Sequence, residues 1–438
     1  MRTGRGCNLA NYHDRVGSVR RWWGEINVRV PSVKFQVGSS VAGVLLLLAG
    51  VAVPIEASAA LRGHVAGSTT TTSSFCALKT CTSTLVTIPE AGKGGITPVA
   101  PAGATDLYRC TFFNPHLTAD QMVIGSTFHP QNHGTVKKPV IEIHHAILFQ
   151  VPPNQVTAVK ALGSSWPCFS GPTPADSFAE LSNFRSIAGW APGSASATRP
   201  AGYGVNVPAG SGFILQLHYN LLASKAKDNS SWSIDMTPTA ECGLTPLLGW
   251  SLVAPPDLPC PSGSSGTLCN RTNSLNDLSK RFGASSVNFV NLIESVCRTA
   301  ATTAGDSHWQ SPTSTSCIWR RPISTQPITV HTIGAHMHLL GRTLSIELCH
   351  SDKTCTDPSK VVGLFVQSYN FDDQHAYSVP PTVINPGDYV KITCTYDPKL
   401  RKLNPQTKKL PARFITWGDG SSDEMCLSSI GYSQGAGT

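Results

Sequence analysis

Two imidazoles one residue apart, His336 and His338, sit in the run Ile333-Gly-Ala-His-Met-His-Leu-Leu-Gly341. If Ile328 to Leu340 is a strand, as Val330, Ile333, Leu339 and the closing Gly341 argue, side chains two apart share a face. Both rings would then reach one point in space, which suits a metal. The competing reading is a surface pair or a satisfied core pair, and the spacing alone does not separate the two.

Three further histidines and one methionine carry comparable signals. His144-His145 lies in Val140-Ile-Glu-Ile-His-His-Ala-Ile-Leu-Phe-Gln-Val151, a strand pattern in which adjacent residues face opposite ways. For both to hold one ion the strand must twist or bulge, or the rings must bind through different nitrogens. Otherwise one ring is buried and the other exposed. His218, in Gly212-Phe-Ile-Leu-Gln-Leu-His-Tyr219, is a ligand or a hydrogen-bonded core residue. Met425 lies in Gly420-Ser-Ser-Asp-Glu-Met-Cys426, where small and acidic neighbours make a poor core segment. A thioether beside two imidazoles selects copper, Cu(I) above all, over zinc, calcium or magnesium.

The elements that must position these groups read as strands. The chain has 438 residues with 38 Gly and 32 Pro, and few stretches carry a helical period, so an all-β architecture of two domains is expected. The net charge is +8. Half of it comes from residues 1–60, where seven Lys/Arg face three acids. No basic stripe with interleaved aromatics follows, which excludes nucleic acid as a partner class.

That basic start leads into Val41-Ala-Gly-Val-Leu-Leu-Leu-Leu-Ala-Gly-Val-Ala-Val53 and then Ala57-Ser-Ala-Ala60. Charged leader, short apolar run and small-residue site read as a secretory signal cut after about Ala59. Export to a periplasmic, cell-surface or secreted location is expected, with a membrane partner only if the leader stays uncleaved. Of the 14 cysteines, all but Cys7 follow the leader. None has the spacing of a zinc ribbon, so disulfides are expected, with one thiol left over.

Residues 61–105 read as a Ser/Thr/Gly-rich tether or an edge hairpin, 106–238 as a first β-sandwich and 239–432 as a second. The second is interrupted by a disulfide-rich insertion at 255–312, where one helix is expected from Asn276 to Arg298.

Taken in order, Tyr108-x-Cys110, His144-His145, Leu215-Gln-Leu-His-Tyr219, His336-Met-His-Leu-Leu-Gly341, Gly387-Asp, Cys394-x-Tyr-Asp397 and Ser422-Asp-Glu-Met-Cys426 resemble the type II copper, ascorbate-dependent monooxygenases. That family includes peptidylglycine alpha-hydroxylating and dopamine beta-monooxygenases. Trp166-Pro-Cys-Phe169, Gly189-Trp-Ala-Pro-Gly193 and Phe371-Asp-Asp-Gln374 look like its shorter bacterial members. The resemblance implies two antiparallel, jelly-roll-like β-sandwiches with a solvent-filled cleft between two coppers. It implies His144, His145 and His218 as ligands of an electron-storing copper, with Gln216 near it. His336, His338 and Met425 are implied as ligands of an oxygen-activating copper. The implied reaction hydroxylates a C–H bond with dioxygen, using ascorbate or a similar one-electron reductant. The family pattern pairs Cys110 with Cys168 and Cys394 with Cys426, and leaves Cys317 to pair with Cys297.

The departures concern the substrate. Where the peptide-hydroxylating member anchors a carboxylate with Arg, Asn and Tyr, this chain has Gly334, Leu427 and Ser429. A small, apolar or uncharged substrate is therefore expected, and an exported copper-binding protein without catalysis is the alternative.

Overall fold

The computed structural model describes residues 68–73, 81–89 and 95–435, apart from 103, 132, 136–137, 141–142, 170, 174–183, 195–196, 222–226 and 321–324. The leader expectation lies outside the described residues.

The described protein is mostly β, built of antiparallel sheets in sandwich-like layers. In the first half a five-stranded sheet runs Ser165–Pro167, Asp106–Phe113, Gly212–Asn220, Ile143–Val151, Arg185–Trp190. It faces a seven-stranded sheet whose centre is Ser231–Pro238 beside Gln121–His129. The Ser/Thr-rich stretch continues that second sheet. Ser68–Ser73 pairs with Cys81–Pro89, which pairs with Ser231–Pro238. These two strands therefore form one edge of that sheet.

Alternation explains how one strand serves both a core and a site. In Gly212–Asn220 every residue is buried. Phe213, Leu215, Leu217 and Tyr219 enter the core between the two sheets with Leu148, Trp232 and Ile234. Ile214, Gln216 and His218 are therefore on the opposite face. Val159, Trp166 and Cys168 of the first half pack with Ile214 on that face, while its His218 end meets the second half, where the Tyr108 hydroxyl donates to the Asp419 carbonyl at 2.9 Å and the Ser421 hydroxyl to Asp106 at 2.8 Å.

The second half repeats the arrangement. The sheet Leu248–Val253, Cys426–Gln434, Ile328–Met337, Ala376–Ile384 packs on Gln310–Ser311, Ser314–Arg320, Tyr389–Tyr396, Gly341–Cys349, Val361–Ser368. Ile328, Val330, Ile333, Ala335 and Met337 enter the core with Leu344, Ile346, Val390 and Ile392. Apart from Ala335, each such side chain contributes about 1.5–3 kcal/mol by leaving water. The same inward set turns Gly334 and His336 to the other face. The strand stops at Met337, one residue before His338. The turn needs its glycine, since a Cβ at Gly341 would stand 2.8 Å from both Met337 Cβ and Tyr369 Cδ1.

Within the insertion the expected single helix is instead two, Arg271–Phe282 and Ala284–Ala304. Asn270 caps the first by accepting from the Asn273 N–H at 3.1 Å. Gly283, with φ of +91°, breaks the run in a conformation L side chains rarely adopt. No helix among the described residues is long and apolar enough to cross a membrane.

Five disulfides join described residues: Cys110–Cys168, Cys260–Cys269, Cys297–Cys317, Cys349–Cys355 and Cys394–Cys426. The three pairings expected by resemblance are among them. So many bridges suggest an extracytoplasmic protein. The expected leftover thiol concerns Cys76, Cys81 and Cys242, whose side chains lie outside the described residues.

Candidate metal centre

The face of the first sheet that does not enter the core assembles three imidazoles. His218 pairs with His145 and Tyr219 with Ile143, so the register slips by one residue and His144 is the extra one. This is the bulge that two adjacent histidines need to serve one site. Nδ1 of His218 lies 3.0 Å from Nδ1 of His144 and 3.3 Å from Nδ1 of His145. Ligand nitrogens of all three converge within 4.8 Å, and all three residues are buried.

Asp106 orients this trio, although the sequence offered no sign of it beyond an acid at a strand start. It accepts from His218 Nε2 at 2.9 Å and from Ser421 N at 3.2 Å. Burial would raise its carboxyl, but the bond from His218 and those from Thr105 and Ser421 outweigh it, holding the group below the usual carboxylate range. A proton fixed on His218 Nε2 leaves Nδ1 as the lone pair, the second-shell arrangement that metal-ligating imidazoles use. Tyr108 stacks on His218 with ring centroids 4.0 Å apart. Gln216, which resemblance places near this site, is on the same face two residues before His218 and donates to the carbonyls of Cys168 at 3.2 Å and Gly171 at 3.3 Å. It braces the loop carrying the Cys110–Cys168 bridge.

The His336–His338 pair stands directly against the trio. Ring centroids of His336 lie 5.7 Å from His144 and 5.4 Å from His145, and His338 lies 5.8 Å from His144. The solvent-filled cleft implied by resemblance is closed here, because five imidazoles occupy one contiguous cluster. Gln374 spans the two sets, accepting from His336 Nδ1 at 2.6 Å and contacting His144 Nε2 at 3.2 Å. Phe371 stacks on His144 at 4.2 Å. The resemblance of Phe371-Asp-Asp-Gln374 implies no role for either residue.

Met425 is held beside the pair through its backbone. Oε2 of Glu424 accepts from His338 N at 3.0 Å and from Met425 N at 3.2 Å, while Oε1 accepts from Leu340 N at 2.6 Å. Tyr396 donates to the Met425 carbonyl at 3.1 Å, and Cys426 is bridged to Cys394. The side chain packs with Val253, Leu278, Phe282 and Trp417. It therefore has the apolar neighbours that its local sequence lacks, supplied by the insertion helices and flanking strands. Burial pushes the Glu424 carboxyl up to about 8 against the pull of its three N–H donors.

The donor set fits a soft or borderline metal. Nε2 of His336 and both ring nitrogens of His338 are buried without a hydrogen-bond partner among the described residues. A neutral buried imidazole with an idle lone pair is costly unless something binds it. All four shifted rings are neutral at pH 7. Burial, with the neighbouring histidines, lowers His144 and His145 well below the ordinary value. His336 falls to about 4, by burial and against the Gln374 bond. His338 falls to about 3, by burial and by His336 and His218, against the pull of Asp106 and Asp423.

These depressed values have a consequence for stability. The unfolded chain takes up protons near pH 6.5 while the folded cluster resists down to about 4 and about 3. The cluster's contribution is thus full above pH 6.5 and is lost as pH falls toward those values. Metal-free protein is expected to melt at progressively lower temperature from pH 6.5 to pH 4, and a variant with His336 and His338 both replaced by Gln to lose less. Thermal melts at matched ionic strength check this.

Among solved structures, the chain is similar to the infectious bursal disease virus VP2 subviral particle at 7% identity. That match covers 80% of this chain and 72% of that one, with a TM-score of 0.15. The coconut allergen cocosin matches at 10% identity over 81% and 77%, with a TM-score of 0.12. Scores this low carry no argument. No curated protein matches the chain. One family does: residues 293–436 match the copper type II ascorbate-dependent monooxygenase, C-terminal domain. The histidine pair and Met425 fall inside that span, so over residues 293–436 the chain carries a domain of the copper type II ascorbate-dependent monooxygenase family.

Proposed function

We propose that the protein is an exported monooxygenase that hydroxylates a C–H bond of a small substrate, using dioxygen and ascorbate or a similar one-electron reductant. The observation that carries this reading is the cluster of buried, neutral imidazoles inside and beside a matched copper-family domain. His144, His145 and His218 would hold one copper, and His336, His338 and Met425 a second. Copper held there supplies one-electron chemistry toward dioxygen that side chains cannot.

The protein's own residues do the rest. Asp106 fixes the His218 proton, and Glu424 locks the His338 and Met425 backbones into one frame. Tyr108 and Phe371 cover the rings and exclude water. The position where the peptide-hydroxylating member has an anchoring Arg is Gly334, and a Cβ there would meet the Ser429 hydroxyl at 2.6 Å. With Gly334, Leu427 and Ser429 at the three anchor positions, the reading is of a substrate without a carboxylate anchor.

Copper-loaded protein, given ascorbate and a panel of uncharged small molecules, is expected to consume oxygen and release a hydroxylated product in step. Tight Cu(I) binding with no coupled product on any substrate would favour the non-catalytic copper-binding alternative. Separately, Asp106→Asn is expected to weaken copper binding at the three-histidine set by about 10- to 100-fold, as loss of an orienting carboxylate does elsewhere. Competition with a chromogenic Cu(I) chelator measures it.

A further inference from the structure

We propose that Gln374 is a positioning residue that selects the ring tautomer of His336 and ties the two histidine sets together. The proposal rests on the reading of His336 as a metal ligand. Its geometry is settled by the group on the far side of the amide. The Gln374 side-chain nitrogen lies 2.7 Å from the Phe371 carbonyl oxygen. A carbonyl can only accept, so the NH2 must be on that side and Oε1 must face His336.

Oε1 is itself only an acceptor, and it lies 2.6 Å from His336 Nδ1. The proton of this neutral ring therefore resides on Nδ1. Nε2 is left with the lone pair, and this is the buried nitrogen that has no partner among the described residues. The glutamine thus presents the one ring nitrogen that is free to bind.

The second amide hydrogen points to His144 Nε2, 3.2 Å away. From there a single donor sense runs through the cluster. His144 Nδ1–H donates to His218 Nδ1 at 3.0 Å, and His218 Nε2–H donates to Asp106 at 2.9 Å. A metal bound at His144 Nδ1 would move that ring's proton to Nε2, against the amide NH2. The bond to His336 is the one that survives such binding, which makes His336 the residue that Gln374 serves.

The backbone is fixed to suit this role. Gln374 N donates to the Pro192 carbonyl at 2.9 Å, and its carbonyl accepts from the Ser194 hydroxyl at 2.7 Å. Pro192 and Ser194 follow the strand Arg185–Trp190 of the first sandwich, whereas Gln374 precedes the strand Ala376–Ile384 of the second. The amide is consequently anchored to the half that carries the trio while it holds a ring of the other half.

The test uses full-length protein labelled with 15N-histidine and free of metal, so it does not depend on catalysis. Long-range 1H–15N spectra should show His336 protonated at Nδ1 in wild type. Gln374→Leu should give a mixture of both tautomers, and Gln374→Glu, which keeps an acceptor at that place, should restore the Nδ1–H form. In chelator competition, Gln374→Leu should weaken Cu(I) binding at the His336 set by about 10- to 100-fold, with the three-histidine set within a few-fold of wild type. An unchanged tautomer in Gln374→Leu overturns the proposal. So does an equal shift in Gln374→Glu. If the copper-loaded protein proved inactive on every substrate while the tautomers behaved as stated, only the monooxygenase reading would fall.

Discussion

Arg281→Met is expected to lower the unfolding free energy by about 3 kcal/mol, because it removes the principal cation from an almost wholly buried carboxylate. Arg281 and Asp423 are 6% and 4% exposed. The guanidinium binds both carboxylate oxygens of Asp423, at 2.7 and 2.8 Å, and its Nε binds Asp277 at 2.8 Å. Burial raises the Asp423 carboxyl, but Arg281 and then Arg413 outweigh it and hold the group below its ordinary range. With Arg281 gone, Arg413 at 3.2 Å is the remaining cation on Asp423, which places the cost at the lower end of the range for broken buried pairs. Denaturant midpoints measure the loss, and a drop under about 1 kcal/mol would show that Arg413 alone satisfies the site.

The same pair changes how the insertion is understood. Arg281 belongs to the helix Arg271–Phe282, and Asp423 directly precedes Glu424 and Met425. Phe282 of that helix packs on Phe169 of the first sandwich with ring centroids 4.8 Å apart. The insertion is thus packed onto the segment that carries Met425. Gly418 shows how close the packing is, since a Cβ there would meet Asp423 Cβ and Leu278 Cδ1 at 2.8 Å.

Met425→Ile is expected to abolish reductant-driven oxygen uptake while leaving copper at the three-histidine set. Isoleucine fills much of the same volume among Val253, Leu278 and Trp417, so the core cost stays below about 1.5 kcal/mol. What would disappear is the sulfur donor proposed for the second copper, and with it the preference for Cu(I). Oxygen-electrode traces with copper analysis separate the two effects. Uptake equal to that of wild type would remove Met425 from the account.

The strands were legible because their chemistry is local. Alternation in Gly212–Asn220, and in Ile328–Met337 on either side of the irregularity between Val330 and Thr332, decides which residues enter a core, and the Phe213 and Ile333 sets do so. The bulge at His144 was legible as one of the ways, with a twist or the use of different ring nitrogens, in which two adjacent histidines can serve one ion. Asp106 was not, because its partner His218 is 112 residues away and nothing beside Asp106 announces it. The role of Gln374 was equally hidden, because it depends on how a loop of one sandwich docks on Pro192 and Ser194 of the other. The helix break was missed at Gly283, where the apolar period runs across a glycine that the backbone uses as a hinge between two helices. The closing of the cleft was beyond sequence reasoning, since spacing sets which histidines share a strand but not how near two sandwiches approach.

The central claim is that six side chains hold two coppers of unlike character. X-ray absorption on Cu(I)-loaded protein, with copper counted per chain, tests it most directly. Two coppers per chain are predicted, with nitrogen scattering from imidazoles and one copper–sulfur component that vanishes in Met425→Ile. A single copper shared by the five imidazoles, or two coppers with no sulfur component, would contradict it.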